Sequence, residues 1–226
     1  MEITQDAVIY MLKELLLVPI TLLPIINPLS TASVFVATVG KQREASRRLA
    51  RQIAVNAFCV MVAAMAIGTY VLTLFGVSLP VVRIGGGLLV AATGWRMLSA
   101  KPEAVQTVVA DEALAMSDAE IKRHSFFPMT FPLTTGPGTI AACIALGAQM
   151  PTASPIHYLG GLLIAVLGAF FVAVVVFLIL KHSVAVVAKI GPTGELVLQQ
   201  LMAFVLLCIG IQLMWTGWYE LNLDGH

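Results

Sequence analysis

Six long apolar stretches, at about residues 15–39, 53–75, 80–98, 126–149, 156–180 and 196–218, constrain this chain more than any motif in it. Roughly 20 apolar residues wound as a helix cross the hydrocarbon core of a bilayer, and a helix satisfies its own backbone polar groups there. With 59% of its 226 residues hydrophobic and 11% charged, the chain has more apolar surface than a soluble core of this size could bury. The expected fold is an all-α membrane protein of six transmembrane helices in one domain, residues 1–226, with no room for a large soluble part. The first stretch has surplus length, consistent with a tilt or a break. No basic lead-in or small-residue cleavage site flanks it, so it is expected to be retained rather than removed as a signal peptide.

The formal net charge of +1 hides an uneven placement. Lys41, Arg43, Arg47, Arg48 and Arg51 follow the first stretch, Arg96, Lys101, Lys122 and Arg123 lie between the third and fourth, and Lys181 and Lys189 lie between the fifth and sixth. Only Lys13 and Arg83 stand at the opposite ends. The positive-inside rule puts these three loops in the cytoplasm and both termini outside. With three spans per half, the fourth enters the membrane opposite to the first. Residues of about 1–100 and 125–226 then form two inverted three-helix repeats, joined by a cytoplasmic linker of about 101–124.

The first and fourth spans are interrupted at their middles. One break reads Pro24, Ile25, Ile26, Asn27, Pro28, Leu29, Ser30, Thr31; the other reads Pro132, Leu133, Thr134, Thr135, Gly136, Pro137, Gly138, Thr139. Proline removes a donor and glycine loosens a helix, so each break frees backbone groups that lipid cannot satisfy. A pair of broken helices at corresponding places in two halves is the pattern of a transporter binding site. After each break, Ser30, Thr31, Gly138 and Thr139 would begin a half-helix whose N–H groups and dipole suit a carboxylate. Carbonyls near Ile25 and Leu133, with Asn27, Thr134 and Thr135, would suit an ammonium group, so a small zwitterion would match both ends. The competing reading is structural: proline kinks packed on neighbours, with threonines bonded back to their own backbone.

Three blocks, Asn27-Pro28-Leu29-Ser30-Thr31, Arg83-Ile84-Gly85-Gly86-Gly87-Leu88 and Gly136-Pro137-Gly138-Thr139-Ile140, stand in the order and spacing of the MarC family of integral membrane proteins, which the chain resembles over nearly its whole length. The resemblance implies six spans in the bacterial inner membrane and a grouping with SnatA-type transporters of small neutral amino acids. Many members carry glycine where this chain has Ser30.

Arg83 is the one charge well inside a predicted span, three residues beyond Pro80, and is open to snorkelling, carbonyl capping or substrate contact. Glu14 and Glu195 mark span edges, and the other acids are read as loop or tail residues. Without an interior carboxylate, coupling would use sodium held by freed carbonyls, or transport would be simple facilitated export. Gly87, Ala91 and Gly94, and Gly161, Ala165 and Ala169, allow close helix approach; Gln200, Gln212 and Asn56 read as polar glue between helices. Arg43, Arg47 and Arg51 share a face that orientation alone accounts for, with anionic lipid as the other reading. Ser117 and Glu120 have capping-box spacing in the linker. Cys59, Cys143 and Cys208 suit small apolar packing positions. The histidines lack metal-ligand spacing and no nucleotide or nucleophile motif occurs, so no enzyme, no cofactor and no nucleic-acid partner are expected. The expected partners are the lipid bilayer and a small polar solute, with a homo-oligomer left open. The alternative in another class is a non-transporting scaffold or lipid-binding protein.

Overall fold

The computed structural model describes residues 2–39, 43–99, 125–150 and 155–223, so the linker of about 101–124, with its capping box, lies outside the described residues. The described chain is helical: α1 Glu2–Ile26, α2 Pro28–Val39, α3 Arg43–Leu74, α4 Leu79–Ser99, α5 Ser125–Thr134, α6 Pro137–Gly147, α7 Pro155–Lys181 and α8 Ser183–Leu223. Four helices are long and apolar enough to cross a membrane: α3, α4, α7 and the Thr193–Asn222 part of α8. The pairs α1–α2 and α5–α6 bend by 48° and 67°, and they raise the number to six if each is one span.

Each element ends where its sequence forces it to. Asn27 takes a left-handed conformation (φ 45°) and Pro28 has no N–H to return to the Pro24 carbonyl, so α1 stops and α2 starts in a new direction. In α8, Gly191 at φ 71° turns the chain between a short leading segment and the long span. That turn is a glycine conformation, and the sequence reading had placed the start of this span at 196 without it.

The core lies where α1, α3, α6 and α7 meet. Leu22, Ile53, Met61, Ala169, Val172 and Val176 are fully excluded from the surface, and Phe35 of α2 joins them. Large apolar side chains also cover the outside, among them Ile67, Leu88, Leu163, Phe171 and Phe204. An apolar coat over an apolar core fits a helix bundle whose solvent is lipid. Trp95, Trp215, Trp218 and Tyr219 are exposed near helix ends, where amphipathic rings settle. Of the three cysteines only Cys143 is a packing residue of the interior; Cys59 and Cys208 are exposed on the outer faces of their helices.

The most extensive helix interface joins α4 to α8, and small residues make it. Seven-residue steps place Pro80, Gly87 and Gly94 on one helix opposite Gly217, Gly210 and Ala203 on the other. A Cβ on Gly87 would lie 2.6 Å from the Gly210 carbonyl, one on Gly94 2.7 Å from that of Ala203, and one on Gly217 2.6 Å from that of Pro80. The two backbones therefore touch directly, antiparallel, along a repeat of seven that keeps the seam in register as the helices wind together. This gives the small residues of the third span their partner. In the fifth span Ala165 and Ala169 are buried, and Gly168 packs on Val18 of α1. Gln200 and Gln212 do not bridge helices: both are exposed, and Gln212 faces its own helix at Thr216.

Among the remaining packed pairs, α3 lies on α5, α6 and α7; α1 on α6 and α7; α4 on α6; and α2 on α5, α7 and α8. The broken pairs thus pack on each other, α1 against α6 and α2 against α5.

Candidate functional site at two helix breaks

At the first break the backbone hydrogen-bond ladder is nearly continuous. The Asn27 N–H donates to the Leu23 carbonyl at 3.0 Å, and the Asn27 carbonyl accepts from the Thr31 N–H at 3.2 Å and from its hydroxyl at 3.4 Å. The Asn27 side chain caps α2, its Oδ1 accepting from the Ser30 N–H at 3.4 Å. Expected free donors at Ser30 and Thr31 are therefore engaged by Asn27 itself. What is left over is the Asn27 amide nitrogen, buried without a partner in a residue only 6% exposed. A buried orphan donor costs about 1–3 kcal/mol, and such groups need an explanation.

Beside Asn27 lies a cavity of about 20 Å³, enough for one water-sized occupant. Its polar lining is Asn27, Ser30, Ser33, Glu195 and Gln199. The turn at Gly191 folds the leading segment of α8 over it, so that Val186, Val187 and Ile190 close one wall. Ser33 donates a short hydrogen bond to the Glu195 carboxylate. Glu195 is thus no hydrated edge residue but half-buried beside the break, which corrects the sequence reading; Ser33 and Gln199 were missed as well. The signal was present in Gly191-Pro192, a third Gly/Pro break just before the last span. Of the Glu14 side chain nothing is described.

At the second break α5 is wound wider than an α-helix, with non-helical backbone at Phe127 and Phe131. Its threonines hold it together. The hydroxyls of Thr130, Thr134 and Thr135 donate to the carbonyls five residues earlier, Ser125, Met129 and Thr130, at 2.6, 2.7 and 3.1 Å, and the Thr135 N–H adds a bond to Thr130 at 2.7 Å. Thr134 and Thr135 are buried, and their hydroxyl protons are committed to the backbone as the structural reading expected. Gly136 is extended and Pro137 opens α6; no side chain caps this N-terminus. Its first N–H groups are those a helix start leaves without an internal partner. Thr139 is buried one turn in, Pro137 is exposed, and Gly138 is pressed against Val90 and Gly86 of α4. Gly138 therefore has a packing role against α4. Gly86 in turn packs on Ala141, so α6 and α4 interlock through glycines.

Arg83 neither snorkels nor caps a carbonyl. It is 8% exposed and forms a short hydrogen-bonded ion pair with Glu220 near the end of α8, so Glu220 is no tail residue either. Asn27, Pro28, Ser30 and Thr31 stand together at the first break, Thr134 to Thr139 at the second, and Arg83 at the far end of the α4–α8 seam.

The three sequence blocks now have structural roles: a capped break, a glycine face that receives both α6 and α8, and an uncapped half-helix. A family model described as MarC family integral membrane protein matches residues 12–221, which include both breaks, the seam, Glu195 and Glu220. The chain belongs to the MarC family. Inner membrane protein MarC of Escherichia coli, Crooks strain, is 33% identical over 209 residues, covering 92% of this chain and 95% of that protein. The proteins of the same name from Escherichia coli K12 and Shigella flexneri are 32% identical over the same shares. No solved structure matches the chain. As a MarC-family member with several apolar spans, it is a multi-pass integral membrane protein.

Proposed function

We propose that this MarC-family protein is a secondary transporter or exporter of small neutral amino acids or similar small polar solutes, with its binding site at the two helix breaks. The observation that carries this reading is the buried Asn27 amide nitrogen without a partner, held at a break next to a small cavity that Ser33, Glu195 and Gln199 also line. An orphan donor is retained at a cost in stability, and a solute carboxylate would complete it. The uncapped N-terminus of α6 offers a second set of donors. Glu195 gives the ammonium group, or a coupling cation, a charged partner that the span interiors alone do not offer.

Inverted repeats are part of the same proposal. Exchange α1–α2 with α5–α6, α3 with α7, and α4 with α8: the packing of α7 on α1–α2 becomes that of α3 on α5–α6, and α4 on α6 becomes α8 on α2. That exchange pattern supports two inverted halves and six spans, with both termini outside as the basic loops indicate. A cavity of about 20 Å³ is far smaller than an amino acid, so loading requires it to widen. Gly191, already at positive φ, is the hinge position for moving the leading segment of α8 away from Ser33 and Glu195.

The scaffold reading draws on the second break, where threonine back-bonding leaves a self-sufficient kink. A thermal-unfolding screen of the purified protein over neutral amino acids separates the two. A saturable rise in Tm for at least one small neutral amino acid, matched by its uptake or efflux in proteoliposomes, is the expected result. No stabilisation and no flux across the series would hand the lead to the scaffold.

A further inference from the structure

A cavity of about 540 Å³ lies away from the breaks, between the outer faces of α3 and α7. Its two ends differ in chemistry. Arg47, Arg48 and Arg51 line one end, while Val55, Phe58 and Phe170 line the other, with Phe58 and Phe170 in edge-to-face contact at 6.3 Å. Phe177 lies between, and the Lys181 ammonium sits over its ring at 5.7 Å, adding a further positive charge close to the arginine end. Arg48 is tied to Glu44 at 3.8 Å, so the charge available to an occupant comes from Arg47 and Arg51, one turn apart on the same helix face and exposed.

We propose that this groove is a site for an anionic glycerophospholipid, whose phosphate is held by Arg47 and Arg51 and one of whose acyl chains runs along Phe58, Phe170 and Phe177. Charge and shape both select this occupant. Two guanidinium groups present planar donors that match phosphate oxygens. Below them the walls are apolar for about 10 Å, the rise from Arg51 to Phe58 along α3, which suits a chain and gives a soluble anion nothing to hold. A zwitterionic lipid fills the same apolar length but brings its own cation to the arginines. The arginine face is therefore more than an orientation signal.

Native mass spectrometry of the full chain in detergent, titrated with phosphatidylglycerol or phosphatidylcholine of identical acyl chains, tests this directly. Phosphatidylglycerol should bind the parent more tightly. Arg47→Gln should lower that preference about fivefold and Arg47→Gln with Arg51→Gln about thirtyfold, the scale for basic side chains at an anionic headgroup. Lys189→Gln, at an exposed basic residue elsewhere, should keep it. Val174→Trp, which fills the groove from α7, should weaken both lipids, and glycerol phosphate without acyl chains should not compete. Equal binding of the two lipids by the parent, an unchanged preference in the double variant, an equal loss in Lys189→Gln, or competition by glycerol phosphate would each overturn the proposal. Circular dichroism and an unchanged Tm in phosphatidylcholine show that the double variant is folded, so a lost preference is read at the groove.

Discussion

Replacing Asn27 by glycine separates what this residue does for the fold from what it does for a solute. At φ 45° an alanine would suffer the left-handed penalty of roughly 1–2 kcal/mol, whereas glycine suffers none. Losing the long 3.4 Å cap to the Ser30 N–H costs only a few tenths of a kcal/mol when glycine takes the cap position. Deleting the orphaned amide nitrogen returns about 1–3 kcal/mol. Without solute, Asn27→Gly should therefore match the parent or exceed it by about 1 kcal/mol, and Asn27→Ala should fall about 1–2 kcal/mol below Asn27→Gly. Solute reverses the order. At a hundredfold excess over Kd the parent should gain about 2.7 kcal/mol, and losing one hydrogen bond, about tenfold in affinity, should cut the gain in Asn27→Gly to about 1.4 kcal/mol. Thermal unfolding in detergent, with and without the stabilising amino acid, reads all four quantities. The reasoning is falsified if Asn27→Gly keeps the full solute-dependent gain, since the amide would then be a packing accident.

Gly210→Val places a side chain 2.6 Å from the Gly87 carbonyl oxygen and 2.7 Å from the Ala91 Cα, where backbone on both sides cannot yield; it should cost at least about 1–3 kcal/mol in unfolding assays. Gly85→Ala on the open side of the same helix has nothing within 4 Å and should gain up to about 1 kcal/mol; similar stabilities for the two variants would refute the seam. Glu195→Gln keeps an acceptor for Ser33 but removes the charge assigned to the ammonium group or coupling cation, so it should fold like the parent and lose most of its transport; near-parental flux in a well-folded Glu195→Gln protein would show that the charge is not used. For sidedness, single cysteines at Glu44 and Lys189 should be protected from an impermeant thiol reagent in intact cells and those at Ser78 and Asn222 should react, once the exposed Cys59 and Cys208 are replaced. Ser46 and Ser183 are buried and would be protected on either side, so they do not report orientation.

The helices and their interruptions were legible because they are written locally. Apolar length marks the spans to within a few residues at most ends, and Asn27-Pro28 and Gly136-Pro137 mark the bends, since a missing N–H or a flexible backbone acts at its own position whatever the tertiary context. Threonine back-bonding at Thr134 and Thr135 was legible as one of two readings for the same reason. Contacts between distant positions were not. Arg83 and Glu220 stand 137 residues apart, and no periodicity in either helix points to the other. The packing of Gly138 was equally hidden: the absence of a side chain leaves room for a neighbouring helix, and only the position of Val90 shows which helix takes it. Glu195 was missed because the approach of Ser33 depends on the direction that the chain takes at Gly191, which a hydropathy pattern does not carry.

The α4–α8 seam has a consequence for how the protein is made. α4 is the least apolar of the four full-length spans, carries Arg83 and presents a bare strip of backbone at Gly87 and Gly94. Everything that completes it, from Ala203 to Glu220, is translated more than a hundred residues later. At about 5–20 residues per second the interval between Arg83 and Glu220 is on the order of ten seconds, during which the nascent α4 holds an unmatched charge beside the translocon. Biogenesis of the amino-terminal half therefore waits on the last helix to leave the ribosome. Chains released before residue 203 should be recognised and degraded as incomplete although seven of their helices, α1 to α7, are fully synthesised.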